Sequence, residues 1–177
     1  MIEKTLKSRK VFRGRLLDVE VVDVLVHDGR RSVREIVRHP GAAVVLAQLV
    51  DGRFVFVRQF RKAAEKIILE VVAGGLERGE KPSDCARREL VEETGHQAAK
   101  ITRLGYVYPA PGYTDEILHL FYARLRPGRG ECSPDDDEKL EVVYLTEKQV
   151  DSLIKSGRIH DAKTLSAWLL WKSMIRT

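Results

Sequence analysis

The feature that most constrains this chain is a glycine-rich turn that runs straight into a carboxylate-bearing helix. It covers residues 74–95: Gly74-Gly75-Leu76-Glu77-Arg78-Gly79-Glu80-Lys81-Pro82-Ser83-Asp84-Cys85-Ala86-Arg87-Arg88-Glu89-Leu90-Val91-Glu92-Glu93-Thr94-Gly95. Glycines in the turn permit close backbone approach and positive φ. Pro82 suits the first position of a helix, and Gly95 suits the position just past its end. The spacing predicts a helix of about thirteen residues, roughly 20 Å long. Glu89, Glu92 and Glu93 then share one face, while Ala86, Leu90 and Val91 supply its apolar docking surface.

Like charges at that spacing repel one another, so the face needs a reason to exist. A solvated acidic face partnered by Arg87 and Arg88 is the plainer reading of the carboxylates alone. The turn changes the balance. A glycine loop feeding a helix that concentrates carboxylates is suited to collecting a hard divalent cation. Mg²⁺ takes octahedral oxygen ligands and completes its shell with substrate phosphates. The backbone carbonyl of Ala73 offers a further oxygen from the turn.

These residues resemble the Nudix box, G-x5-E-x7-R-E-U-x-E-E-x-G-U, where U is aliphatic. Gly74, Glu80, Arg88, Glu89, Glu92, Glu93 and Gly95 fill the seven invariant positions, and Leu90 fills the first aliphatic one. Seven such matches arise by chance about once in 10⁸ windows at ordinary residue usage. His96 departs from the pattern where an aliphatic residue is usual, and the expectation is a small packing change with intact chemistry.

Length and composition agree with that class. At 177 residues the chain can bury a substantial core. The formal net charge is +5, with basic clusters at 4–15 and 30–38. Such a balance gives either a solvated surface or attraction to a small polyanion. No basic run alternates with aromatics, so no nucleic-acid partner is expected. Cys85 and Cys132 show no metal spacing and fit a reducing compartment, which implies a cytoplasmic protein. No signal peptide and no membrane-spanning run are expected.

In chain order, strands are predicted at 11–17, 19–27 and 31–38, with a hairpin turn at Asp28-Gly29. A strongly apolar hairpin follows at 42–49 and 53–58, turning at Asp51-Gly52, and its continuous apolar runs suit a sheet buried on both faces. A short strand at 67–72 leads into the glycine turn. After the helix come strands at 101–108, 117–125 and 140–145. Thr146 reads as the N-cap of a helix ending near Ser156, and 161–174 as a final helix. Trp168 and Trp171 on that last helix read as core.

This order predicts an α/β fold. The resemblance specifies it as a Nudix-type mixed-sheet α/β/α sandwich with an N-terminal antiparallel strand layer. Residues 1–39 would form that layer and mediate dimerisation, and 40–177 would form the Nudix hydrolase domain.

Further features are similar to the ADP-ribose pyrophosphatase subgroup. Pro111 lies sixteen residues beyond Gly95, within a Pro-x-Pro-Gly-x-Thr-Asp-Glu run. Extra N-terminal strands exchange across a dimer in that subgroup, and the 161–165 tail resembles its closing helix. The resemblance implies hydrolysis of ADP-ribose to AMP and ribose 5-phosphate, or of a related nucleoside diphosphate sugar. A GDP-hexose hydrolase or a non-catalytic nucleotide-sensing Nudix module are the alternatives.

The implied cofactor is Mg²⁺ or Mn²⁺, held by Glu89, Glu93 and the Ala73 carbonyl, with Glu92 as a further ligand or water-orienting group. Arg88 and Glu80 would pair to hold the helix against its loop. Arg61 is the candidate diphosphate contact, and Glu116 a contact to ribose or to a second subunit. The implied general base lies in the acidic run 135–138 and is placed at Glu138, with Glu92 as the alternative. Phe12 is the sole aromatic residue of the N-terminal layer, so no adenine clamp is visible there.

Overall fold

Two strands that pair at one end and then part company create the central feature of the fold. In the computed structural model, which describes residues 1–133 and 139–174, β4 (Ala42–Gln48) and β5 (Phe54–Arg61) meet only at Ala47↔Val55 and Gln48↔Phe54. Beyond those pairs, β5 continues against β6 (Lys66–Glu70) and β4 continues against β7 (Val72–Gly75). The chain therefore crosses the fork between β6 and β7 at Val71. The sequence pattern predicts one strand at 67–72. The structure has two, because unpaired edges of β4 and β5 each claim a partner. Val71 is buried, and its N–H donates to Thr164 Oγ1 at 3.0 Å.

The chain divides into two compact units, one of Met1–Gly41 with Tyr108–Ile117, the other of Ala42–Val107 with Leu118–Thr177. In the second unit, α1 (Pro82–Thr94) follows β7. Then come β8 (Ala98–Val107), β9 (Leu118–Leu125), β10 (Leu140–Leu145), α2 (Glu147–Lys155) and α3 (Ala162–Met174). The sheet order is β10-β5-β4-β9-β8, with β4 and β9 parallel and the other pairs antiparallel. Alternate residues of β4 serve opposite faces, as the strand period requires. Val44 and Leu46 pack with Phe54, Leu120, Trp168 and Trp171 beneath α2 and α3. Ala43, Val45 and Ala47 pack with Leu90, Cys85 and Ala86 of α1. This is a mixed-sheet α/β/α sandwich. Phe54 meets Trp168 edge-on at 4.9 Å, so the tryptophans are core residues.

The first unit is a three-stranded antiparallel sheet, β1 (Lys4–Arg13), β2 (Asp18–Leu25) and β3 (Arg31–Arg38), with β2 central. The sequence pattern places the first strand at 11–17, but the structure begins it at Lys4. Every residue of β1 is exposed, and a strand without a buried face carries no alternating signal to read. Val22 and Val24 are the buried side chains of this sheet. The segment 108–117 joins it through Val37 N–H to Tyr113 O at 2.8 Å and an Arg38–Asp115 ion pair at 3.0 Å. Among the described residues no helix is long and apolar enough to cross a membrane.

Candidate active site

The site is built on α1 and the turn before it. Pro82 opens the helix, and Gly95 closes it at φ 69°, donating its N–H to Val91 O at 2.8 Å. Ahead of the helix, β7 holds Ala73 opposite Val44 and Gly74 opposite Ala43. Glycine at 74 leaves room for the Glu89 carboxylate in its present position. A Cβ on it would lie 1.9 Å from Glu89 Cδ and 2.0 Å from Glu89 Oε1. The Glu89 carboxylate thus occupies the space that a side chain at Gly74 would fill.

Arg88 organises the acidic groups around it. Its Nε and Nη2 donate to the two oxygens of Glu80 at 2.9 and 3.0 Å, in the bidentate geometry that suits a guanidinium. Nη2 also reaches Gly75 O at 3.1 Å, and Nη1 contacts Glu89 Oε1 at 2.6 Å and Glu92 Oε2 at 2.9 Å. Glu80 Oε2 further accepts the Glu77 N–H at 3.0 Å, which ties the loop. The hydrogen bonds that Arg88 donates hold the Glu80 carboxyl down at about 2, and the same bonds, those accepted by Glu80 first and then by Glu89, push the Arg88 pKa up. Arg88 is therefore a fixed cation that fastens the turn to the helix and gathers two of the three face carboxylates.

Glu93 is buried at 6% exposure one turn beyond Glu89, whose side chain is 13% exposed, whereas the Glu92 side chain is 38% exposed. Beneath the turn, Cys85 Sγ lies 3.4 Å from Gly75 O, and burial pushes its thiol up to about 12. It is an inert packing group.

The donor set fits a hard divalent cation. Glu89, Glu92 and Glu93 offer carboxylate oxygens on one helix face, and the close Gly74–Glu89 approach aims one carboxylate at the turn. Among the described residues no three acidic, histidine or cysteine side chains already converge on a single metal position. Arg88 Nη1 instead bridges Glu89 and Glu92.

Arg61 makes a bidentate pair with Glu70, Nε to Oε1 at 2.8 Å and Nη2 to Oε2 at 2.6 Å. Glu116 belongs to the first unit, where its Oε1 lies 3.5 Å from His39 Nδ1. Glu138 lies outside the described residues.

One group escapes the motif-based reading, and a second does more than that reading expects. The first is Glu70, buried at the end of β6 and bonded to Arg61 and Lys163. Lys163 also meets Asp161 at 3.1 Å, and Asp161 Oδ2 accepts the N–H of Thr164 at the start of α3. Thr164 in turn holds the Val71 N–H, so this polar chain anchors the β6–β7 crossing to α3. A lone carboxylate closing the apolar run 67–69 was its only local signal. The second is His96. It is not a simple packing substitute, because both ring nitrogens are hydrogen bonded.

The chain is similar to known proteins over most of its length. A family model for the NUDIX domain matches residues 37–168. The chain is 43% identical over 166 residues to an ADP-ribose pyrophosphatase of Bacillus subtilis, covering 93% of this chain and 90% of that protein. It is 42% identical, with the same coverage, to a methanol dehydrogenase activator of Bacillus methanolicus. A solved structure described as an ADP compounds hydrolase superposes with a TM-score of 0.86 at 26% identity, covering 99% of this chain and 95% of that one.

Proposed function

Because this chain belongs to the Nudix hydrolase family, we propose that it hydrolyses the diphosphate bond of ADP-ribose, or of a related nucleoside diphosphate sugar, with the aid of Mg²⁺ or Mn²⁺. The observation that carries this reading is the Glu89 carboxylate seated against Gly74, with Arg88 gathering Glu80, Glu89 and Glu92 beside it. A diphosphate concentrates negative charge, so its hydrolysis needs cations and a place to fix them.

Glu89, Glu93 and the Ala73 carbonyl would hold the metal, with Glu92 as a further ligand. When bound, such an ion supplies charge neutralisation and polarises the P–O bonds. Arg88 keeps the helix and turn in register through Glu80 and the Gly75 carbonyl. Gly95 closes the helix that carries the ligands.

In the reaction, a water oxygen bonds to one phosphorus as the bridging P–O bond breaks. The water's proton passes to a carboxylate, which we assign to Glu138, with Glu92 the alternative. The bridging oxygen leaves on the other phosphate, giving AMP and ribose 5-phosphate. Arg61 is proposed to contact the diphosphate, its fork suiting phosphate oxygens. That role requires it to share its guanidinium between substrate and Glu70. Glu116 is proposed to contact ribose or a second subunit.

We further propose a cytoplasmic homodimer with residues 1–39 at or across its interface. The fully exposed edge strand β1 and the exposed Leu6, Val11 and Phe12 support it.

A hydrolysis screen with Mg²⁺ tests the function. It compares ADP-ribose, a GDP-hexose, NAD⁺ and nucleoside triphosphates. ADP-ribose is expected to give the highest kcat/KM. Preference for the GDP-hexose would move the assignment to that alternative, and tight binding without turnover would support a sensing module. Preference for triphosphates would overturn the diphosphate-sugar reading.

A further inference from the structure

The C-terminal end of α1 has no basic residue in its last turn, yet helix ends expose carbonyls that need donors. Here the donors come from residues 129–133, in the connection after β9. Ser133 N–H donates to Glu92 O at 2.9 Å, and Gly130 N–H donates to Gly95 O at 2.8 Å. Arg129 Nε donates to Thr94 O at 2.9 Å, bringing a positive charge to the negative end of the helix dipole. The approach is close enough to depend on Gly95. A Cβ there would lie 2.3 Å from Gly130 O.

His96 ties this strap to the sheet. Its Nδ1 is 3.1 Å from Gly128 O, and its Nε2 is 3.0 Å from the Tyr144 hydroxyl on β10. A carbonyl only accepts, so Nδ1 carries the proton and donates, and Nε2 of the neutral ring accepts from Tyr144 O–H. Burial lowers the His96 pKa and so favours that neutral form. An aliphatic residue at this position could fill the space but could make neither bond.

We infer that His96 and Arg129 are positioning residues that lock residues 128–133 onto the last turn of α1, and thereby fix the backbone from which Glu92 and Glu93 project. The inference rests on the reading of α1 as the metal-holding helix. The strap grips the main chain of Glu92 itself, through Ser133. Loosening it frees the last turn, where Glu93 must meet a metal together with Glu89 one turn earlier. Groups that orient metal ligands typically contribute about 10- to 100-fold to affinity.

The test uses the full chain with Mn²⁺ as probe, its affinity measured by electron paramagnetic resonance. Amide hydrogen exchange and steady-state kinetics accompany it. His96→Leu is expected to weaken Mn²⁺ by about tenfold and to speed exchange selectively at the Gly130 and Ser133 amides. At saturating metal, KM should stay unchanged. His96→Asn keeps an N–H near the Nδ1 position and should restore most of the affinity. Tyr144→Phe removes one hydroxyl only and serves as the milder variant should His96→Leu not fold. It is expected to weaken Mn²⁺ measurably, by less than His96→Leu does.

Wild-type Mn²⁺ affinity in His96→Leu, or in Tyr144→Phe if only that folds, overturns the inference. So does a uniform rise in exchange, which would mark global destabilisation. Glu93→Gln separates the two levels. If it binds Mn²⁺ like wild type, the metal-helix reading fails and takes this inference with it. If it loses Mn²⁺ while His96→Leu does not, the positioning role alone is wrong.

Discussion

Gly74 lies so close to the Glu89 carboxylate that a methyl group on it would sit 1.9 Å from Glu89 Cδ. The relationship is steric and owes nothing to backbone strain, since Gly74 is not among the positive-φ glycines. Gly74→Ala is therefore expected to push the Glu89 carboxylate off the turn while leaving β7 paired with β4. A displacement near 1 Å costs about 10²-fold in rate when it moves a catalytic constellation. Activity should fall by about that factor or more, with far-ultraviolet circular dichroism unchanged. Near wild-type turnover would show that Glu89 can work from another position.

Water activation is a separate question from charge neutralisation. General-base assistance contributes about 10²–10⁴-fold. Glu138→Gln is expected to lower kcat by about 10²-fold or more with little change in KM. Asp135→Asn and Asp136→Asn should each do far less. If Glu138→Gln keeps its kcat while Glu92→Gln is inactive, the base belongs on α1.

Glu70 connects the site's scaffold to pH. Burial alone would push its carboxyl up, but the hydrogen bonds from Arg61, followed by the Lys163 charge, outweigh that and leave it below the ordinary carboxylate range. A carboxyl lowered in the folded state adds stability above its unfolded pKa, near 4.3. That stability is lost as pH falls through the folded value. Glu70→Gln removes one partner of a buried ion cluster and is expected to cost about 3 kcal/mol at pH 7. It should also flatten the acid limb of the stability profile below about pH 4. Urea titrations from pH 2 to pH 7 read both effects. An acid limb as steep as the wild type's would remove Glu70 from the account.

How much of this was legible in the sequence depended on the range of the forces involved. Helix α1 was readable end to end, because Pro82, the carboxylate spacing and Gly95 are local signals. The β4–β5 hairpin was readable because its residues are apolar on both faces. The break at Val71 was not, since it is set by strand edges left open elsewhere in the sheet and by Thr164, 93 residues away. The start of β1 was hidden because that strand buries no side chain. His96 stood out as a departure from the box, but its partners Gly128 and Tyr144 are 32 and 48 residues distant. Pairing of Arg88 with Glu80 follows from the motif. Its simultaneous hold on Glu89 and Glu92 required the three-dimensional geometry.

Assembly is open to a direct check. An edge strand exposed along its whole length invites pairing, here with a second copy of the chain. Light scattering at micromolar concentration is expected to give a dimer mass. Deletion of residues 1–38 should give a monomer with impaired activity. A monomeric full-length chain, together with full activity after the deletion, would contradict the dimer.

Metal-assisted cleavage of a nucleoside diphosphate sugar is the central claim, and phosphorus NMR of ADP-ribose mixed with the protein tests it most directly. With Mg²⁺ present, the diphosphate resonances should decay and be replaced by those of AMP and ribose 5-phosphate. Chelator should stop the decay and fresh Mg²⁺ should restart it, while Glu93→Gln should leave the diphosphate intact. Diphosphate signals that persist in Mg²⁺ and Mn²⁺, or that decay equally fast in chelator, would contradict the account.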